Sequence, residues 1–270
     1  MVFELFLAVL IAMMAIMTVA WFVQRAARDG GWTDVFWTFG AGTCLAAAAL
    51  APIPGDHLLP ARQGLVAAMV GAWSLRLGLH IRARVLQGPE DARYAGFRRD
   101  WGEAFNRRMW SVMLPQAPAA ALLSPSIILA ARTGGPLNLR DGLALLLFLA
   151  CLAGESLADR QLRRFKATPG SHGKVCDVGL WAWSRHPNYF FEAALWLAYP
   201  VIALNPARLE SALSLVAPVV MFITVRFLSG VPPLETAMLR SRGEAYRDYQ
   251  ARVSIFIPRP PRRSTRPHGA

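Results

Sequence analysis

Apolar runs of roughly 17 to 23 residues, the length that crosses a bilayer, recur seven times along this chain and leave few folds open to it. They cover residues 2–23, 32–51, 64–81, 109–131, 142–158, 188–204 and 211–229. Hydrocarbon offers no water to the backbone, so such runs cross as helices that satisfy their own N–H and C=O groups. The reading is an all-α integral membrane protein of seven transmembrane helices, a single domain over residues 1–258. A proline- and arginine-rich tail at 259–270 is expected to be disordered and to rest on anionic lipid. The first run lacks a basic leader and a small-residue cleavage site before Trp21, so it is expected as a span and not as a cleaved signal.

Charge supports the same class. The chain is 54% hydrophobic with a mean hydropathy of +0.33, yet its formal net charge is +12, a pairing that fits basic loops beside a membrane and not a nucleic-acid partner. Under seven spans, one side holds Arg25, Arg28, the arginines of 82–108, the cations of 160–185 and those of 240–266. The other side holds Arg62, Arg132, Arg140 and Arg208. Lysine and arginine accumulate on the cytoplasmic side, which places the amino terminus outside and the carboxyl terminus in the cytoplasm, as for a bacterial inner-membrane protein. The three cysteines and five histidines are scattered, so neither a disulfide framework nor a metal site is expected. No second domain or internal repeat is visible, and the chain is read as a monomer.

Ionisable residues inside the runs gather at one depth. Asp34, Arg76, His80, Glu155, Asp159, Glu192 and Arg226 all fall toward the cytoplasmic ends of their spans. A charge in hydrocarbon costs about 2.5–3.5 kcal/mol even on the lenient scale, so these groups are expected to line a polar pocket, although snorkelling alone accounts for Arg226 and Arg76. Glu155, Asp159 and Arg163 recur every four residues with Lys166 three further on, one stripe of two carboxylates and two cations, and Asp159 with Arg163 also reads as a plain ion pair. Pro115, Pro118 and Pro125 are expected to bend the fourth span and to leave room beside Gln116 for a bulky apolar ligand. The loop after Ile81, with Tyr94, Phe97 and Trp101 among its charges, reads as an ordered cytoplasmic cap. Its Arg93 and Arg98 fit phosphate partners or solvated charges equally well.

The stretch GLWAWSRHPNYFFE, Gly179 to Glu192, sets an Arg-His-Pro-Asn-Tyr cluster at a span's beginning. Proline at the first helical position forfeits no hydrogen bond, so the helix is expected to start at Pro187. Its unpaired N–H groups, with Arg185 and His186 beside them, suit an anion such as a phosphate, or simply a basic flank at the interface. Asn188 and Glu192 share a face one turn inside.

This stretch, with ESLADRQLRRFK (Glu155 to Lys166) before it and LETAMLRSRGEAYRDYQARVSIFIP (Leu234 to Pro258) after it, resembles the membrane-embedded steroid 5α-reductase family, particularly its bacterial members. Weaker likeness runs back through WSLRLGLHIRAR to TDVFW, so nearly the whole chain is covered. The His-Pro-x-Tyr core and the Phe-Ile-Pro ending are shared with sterol C14 reductases and isoprenylcysteine methyltransferases. The resemblance implies NADPH-dependent reduction of a carbon–carbon double bond conjugated to a ketone in a lipophilic substrate, most directly a 3-oxo-Δ4 steroid, with the cofactor on the cytoplasmic side. By position, Glu155, Asp159, Arg163 and Lys166 would meet the adenosine and its phosphates. Arg185, His186, Asn188, Tyr189 and Glu192 would meet the pyrophosphate, ribose and nicotinamide amide, Arg76 would add to the pocket, and Glu235, Arg240, Tyr246 and Tyr249 would close it from the tail.

The chain departs from the family at the carbonyl grip. Animal steroid reductases place Gln-Glu on the second span and a tyrosine on the third, and neither is present here. Asp34 and His80 are the nearest substitutes, with Tyr189 the third catalytic candidate. A buried aspartate can keep its proton and act as an acid, but Asp34 also reads as a hydrogen-bond partner lining the pocket. Two other readings stand beside reduction. One is a methyltransferase using S-adenosylmethionine, disfavoured because that cofactor has no phosphates for the arginines to meet. The other is a transporter or lipid-binding protein without chemistry, which would be expected to show inverted repeats and midplane polar groups.

Overall fold

In the computed structural model, residues 1–55 and 60–262 are described, and they fold entirely as helices and connecting turns with no strand among them. The expected disordered tail falls mainly at 263–270, outside the described residues. In chain order the α-helices are α1 (Val2–Ala27), α2 (Trp32–Leu50), α3 (Ala61–Gln87), α4 (Ala92–Trp101), α5 (Phe105–Met113), α6 (Gln116–Ala121) and α7 (Ser124–Ala131). They continue with α8 (Leu139–Ala167), α9 (Pro187–Leu195), α10 (Ala198–Ala203), α11 (Val216–Ile223), α12 (Val231–Arg242) and α13 (Glu244–Arg252).

Six helical stretches are long and apolar enough to cross a membrane: Val2–Ala27, Trp32–Leu50, Ala61–Gln87, Arg93–Ala131, Leu139–Ala167 and Leu209–Arg242. The seventh run, 188–204, is not among them, because it folds as two short helices, α9 and α10, parted by a turn at Trp196 and Leu197. The expected bend in the fourth run is present. α5, α6 and α7 are separate pieces with Pro115 before α6 and Pro125 in the first turn of α7, as the missing proline N–H requires. The side chain beside Gln116 is Trp37, whose indole N–H donates to the Gln116 carbonyl at 3.0 Å.

The chain divides into two compact units, one of Met1–Leu145 with Ala198–Val220 and the other of Leu146–Leu197 with Met221–Ala270. In the first unit, α1, α2 and α3 pack through small residues, and Trp73, Leu45, Met69, Met109, Met113 and Ile127 are fully buried. Ser74 donates to the Thr38 carbonyl at 3.0 Å, tying α3 to α2, and Ser126 accepts the Ala217 N–H at 2.9 Å. One end of this unit is closed by arginines bound to carbonyls at chain turns. Arg132 donates to Ala48 and Ala51 at the end of α2, and Arg140 to Val201 and Leu204 at the end of α10. Arg62, 3% exposed, grips Asp141 with two bonds of 2.7 Å and donates to the carbonyls of Thr133, Gly134, Gly135 and Pro136. Cations at helix carboxyl ends are favoured by the free carbonyls there.

The second unit holds the inner part of α8, then α9, α12 and α13. Trp181 reaches from the loop before α9 to donate to the Ala158 carbonyl at 3.0 Å, and Gln161 accepts the Leu180 N–H at 2.9 Å, so that loop lies along α8. Phe256 takes Phe190 and Phe222 edge-on, at 6.0 and 5.5 Å between centroids. Tyr246, Tyr249 and Val253 form a buried knot with Val175, Met238 and Leu239. α12 and α13 join at Gly243, whose φ of 54° suits glycine and lets the chain turn without a linker.

Candidate functional site

The second unit gathers most of the residues read from the sequence. His186 precedes α9, Pro187 occupies its first turn, and the segment before them is pinned to the tail. Arg185 N–H donates to the Ser254 carbonyl at 2.8 Å, Ser184 Oγ donates to Phe256 at 2.7 Å, and His186 N–H donates to Ser184 Oγ at 3.1 Å. Tyr249 donates its hydroxyl to the Trp181 carbonyl. These bonds fix where the first turn of α9 begins.

At the centre of this fixing is Glu235 on α12. Oε1 accepts from Arg185 Nε at 3.0 Å, His186 Nε2 at 2.8 Å and the Tyr246 hydroxyl at 2.6 Å. Oε2 accepts from Arg185 Nη2 at 2.9 Å and Gln250 Nε2 at 2.6 Å. The remaining Arg185 nitrogen donates to Gln250 and Val253 carbonyls. Both oxygens and the guanidinium are thus occupied by the protein itself. Arg185, His186, Glu235, Tyr246 and Tyr249, the residues expected to meet the cofactor, bond here to one another and to nearby carbonyls, a knot that positions the loop. Burial pulls the His186 imidazole below its usual range, with the Glu235 bond opposing it, and burial raises the Tyr246 and Tyr249 phenols, Tyr246 further through Glu235.

Beside the knot, α8 and α9 present a second polar row. Asn188 Nδ2 donates to Asp159 Oδ1 at 3.1 Å, and its own Oδ1 accepts the Tyr189 N–H at 3.0 Å. Glu155 and Glu192 are 3% and 4% exposed, both within electrostatic reach of Cys151, and Glu192 accepts the Trp196 indole N–H at 3.3 Å. Arg163 and Lys166 continue the α8 stripe into exposed positions, and Arg240 is exposed on α12. The half-buried Tyr189 stacks on His186, 5.8 Å between centroids and 8° from parallel.

Asp34, Arg76 and His80 lie in the first unit. Arg76 and His80 are half-buried, one turn apart on α3. Asp34 stands in the first turn of α2, where Oδ1 accepts the Tyr94 hydroxyl at 2.7 Å and Oδ2 accepts Arg93 Nη2 at 2.6 Å. Arg93 and Arg84 also pair with Asp91, at 2.9 and 3.1 Å. Asp34, the candidate acid, thus stands between two donors, Arg93 and Tyr94. Of the two candidate phosphate partners in this segment, Arg98 pairs with Glu90 at 2.8 Å and Arg93 with two aspartates. Burial alone would raise the Glu90 and Asp91 carboxyls, but these arginine bonds outweigh it and hold both below the usual range. Asp91 caps α4 by accepting the Arg93 N–H at 3.0 Å, and the Tyr94 ring lies where a Cβ on Gly30 would stand. The ordered segment expected after Ile81 is thus present as α4, and Tyr94 is its anchor. An Asp-x-Arg step at a helix start was the signal in the sequence for this cap.

Apolar helices long enough to span, with buried carboxylates on α8 and α9, define a polytopic α-helical membrane protein with a buried polar row. The chain belongs to a family described as proteins of unknown function, DUF1295, whose profile matches residues 20–253. No curated protein and no solved structure matches it. Among the described residues no cluster of His, Cys, Asp and Glu has the makings of a metal site.

Proposed function

We propose that the protein is an NADPH-dependent oxidoreductase that reduces a carbon–carbon double bond conjugated to a ketone in a lipophilic substrate, most directly a 3-oxo-Δ4 steroid. The observation that carries this reading is the row on α8 and α9: Asp159 bonded to Asn188, with Glu155 and Glu192 buried and Arg163 and Lys166 exposed on the same α8 stripe. Its chemistry fits the group. Carboxylates and an amide suit ribose hydroxyls and a nicotinamide amide, and two exposed cations suit phosphates. Membership of a family that includes steroid 5α-reductase-like membrane proteins agrees with it.

In this reading Arg163, Lys166 and Arg240 hold the phosphates, Asp159 and Asn188 the ribose, and Glu155 and Glu192 the amide. NADPH, when bound, supplies a hydride to the β carbon of the enone. Tyr189, beside Asn188 on the first turn of α9, delivers the proton that the resulting enolate takes up, so the product gains two hydrogens. A phenol serves as an acid toward an enolate without first being ionised. The protein crosses the inner membrane seven times as a monomer, its amino terminus outside, with α9 and α10 together making the remaining crossing.

The test is oxidation of NADPH by purified protein against a panel of enones, with mass spectrometry for a gain of two hydrogens, preceded by titration of nicotinamide fluorescence. Binding of S-adenosylmethionine with no response to NADPH would assign the methyltransferase activity instead.

A further inference from the structure

We propose that the first unit carries a built site for the headgroup of an anionic phospholipid, formed by Trp21 and Arg25 on α1 and by Trp101, Arg107, Arg108 and Trp110 on α4 and α5. The indole of Trp21 donates to the Asn106 carbonyl at 2.8 Å and meets Trp110 edge-on, 5.7 Å between centroids. The end of α1 is thereby fixed to the start of α5. Arg25 lies 4.4 Å over the Trp21 ring, and Arg108 lies 6.0 Å over Trp101, itself stacked on Phe97 at 4.5 Å. Two guanidiniums are thus steadied on indole faces and not by acids.

Charge sets these arginines apart from their neighbours. Arg84, Arg93 and Arg98 are neutralised by Asp34, Asp91 and Glu90, whereas Arg25, Arg107 and Arg108 are exposed and make no ion pair among the described residues. Arg25 and Arg108, steadied on indoles at this helix junction, and Arg107 beside Arg108 in the chain outnumber the exposed Asp100 and Glu103 there, and no ion pair joins them to either acid among the described residues, which favours an anion. The exposed apolar side chains beside them specify which kind. Phe22, one turn before Arg25, is 59% exposed, and Trp110 on α5 and Leu114, which caps its end, are 36% and 43% exposed. A soluble anion has no use for that surface, but a phospholipid does: its phosphate meets the arginines, its glycerol region the indoles and its chains the apolar faces. The site is separate from the α8 and α9 row, and its occupancy is read without NADPH or turnover.

Native mass spectrometry of the full-length protein in detergent tests it, with phosphatidylglycerol titrated against phosphatidylcholine of identical chains. The expected result is about tenfold tighter binding of phosphatidylglycerol. R25Q/R107Q/R108Q should bring that binding down to the phosphatidylcholine level, and the corresponding lysine triple should keep most of it. A control with the same charge change in the second unit, R160Q/R164Q/R247Q, should stay within about twofold of wild type. Equal loss in the control triple, no loss in the site triple, or no preference in wild type would each overturn the proposal. If the site triple does not fold, the wild-type chain decides through quenching of tryptophan emission by lipids brominated on their chains. Brominated phosphatidylglycerol should quench more than brominated phosphatidylcholine, with Trp110→Phe removing part of the difference, and equal quenching would overturn the proposal.

Discussion

Arg185 and Glu235 meet as a fork, Nε to Oε1 at 3.0 Å and Nη2 to Oε2 at 2.9 Å, with side chains only 8% and 12% exposed. The pair ties the segment before α9 to α12. Removing one partner of such a buried pair leaves the other charge without compensation, at a cost of about 3–5 kcal/mol. Glu235→Ala and Arg185→Ala are each expected to lower the unfolding free energy in detergent by about that much. NADPH affinity per folded molecule should change by less than about threefold, since the pair positions and does not contact. Unchanged stability with a large loss of affinity would return both residues to the cofactor contacts. Lysine at 185 lacks the fork and is expected to rescue little.

The same knot sets a pH window. His186 is held below its ordinary value of 6.5, so the unfolded chain binds a proton more readily than the folded one as pH falls past 6.5, and stability falls with it. Tyr246 and Tyr249 are held above their ordinary 10.0, so the unfolded chain loses protons first above that pH and stability falls again. Thermal unfolding across pH 5 to 11 should show a plateau between these limits. Tyr246→Phe with Tyr249→Phe should flatten the alkaline limb and leave the acid limb, and His186→Asn should do the reverse.

In the first unit, the Tyr94 hydroxyl donates to Asp34 at 2.7 Å and holds α4 against the start of α2. Losing one hydrogen bond to a charged acceptor costs about 1.5–3 kcal/mol. Tyr94→Phe is expected to lower stability by that amount and to keep turnover within a few-fold per folded molecule. A loss of a hundredfold in turnover with stability intact would make the pair the acid.

The catalytic assignment separates in kinetics. Tyr189→Phe removes the proposed proton donor, so kcat for enone reduction should fall about 10²- to 10³-fold while NADPH binding is retained. Asn188→Ala removes the proposed ribose contact and the Asp159 bond together, and NADPH affinity should fall about tenfold. If both variants change affinity alone, Tyr189 is a binding residue and the proton comes from elsewhere.

Local chemistry made some of this legible in the sequence. Pro187 announced the start of α9, and Pro115 and Pro125 announced the breaks before α6 and at α7, because each proline removes a backbone donor wherever it sits. The four-residue spacing of Glu155 and Asp159 gave the α8 face in the same way. What spacing could not give was the partner across space. Arg185 beside a helix start looked like an anion site until Glu235, 50 residues away, proved to fill its donors. Asp34 reads in the sequence as an acid or as a hydrogen-bond partner, and nothing near it announces Tyr94, 60 residues on, as the donor it meets. Long-range pairing of charges is decided by packing, and the period of one helix carries no trace of it.

Arg62 and Asp141 offer the cleanest separation of charge pairing from carbonyl capping. The two are 3% exposed each and joined by two bonds of 2.7 Å, but Arg62 also serves the carbonyls of 133–136 whereas Asp141 also accepts backbone N–H groups, that of Asn138 among them. Arg62→Met leaves a buried carboxylate and several carbonyls without donors, and Asp141→Leu leaves a buried guanidinium still held by carbonyls. Both should destabilise by about 3–5 kcal/mol, with Arg62→Met the worse. The double variant removes both charges, so it should be more stable than the sum of the singles by at least about 1.5 kcal/mol, yet remain below wild type because the carbonyls stay unserved. Chemical unfolding of the four proteins in one detergent measures the cycle. Additive losses would mean that the arginine acts through the carbonyls alone, and full recovery in the double variant would mean that it acts through Asp141 alone.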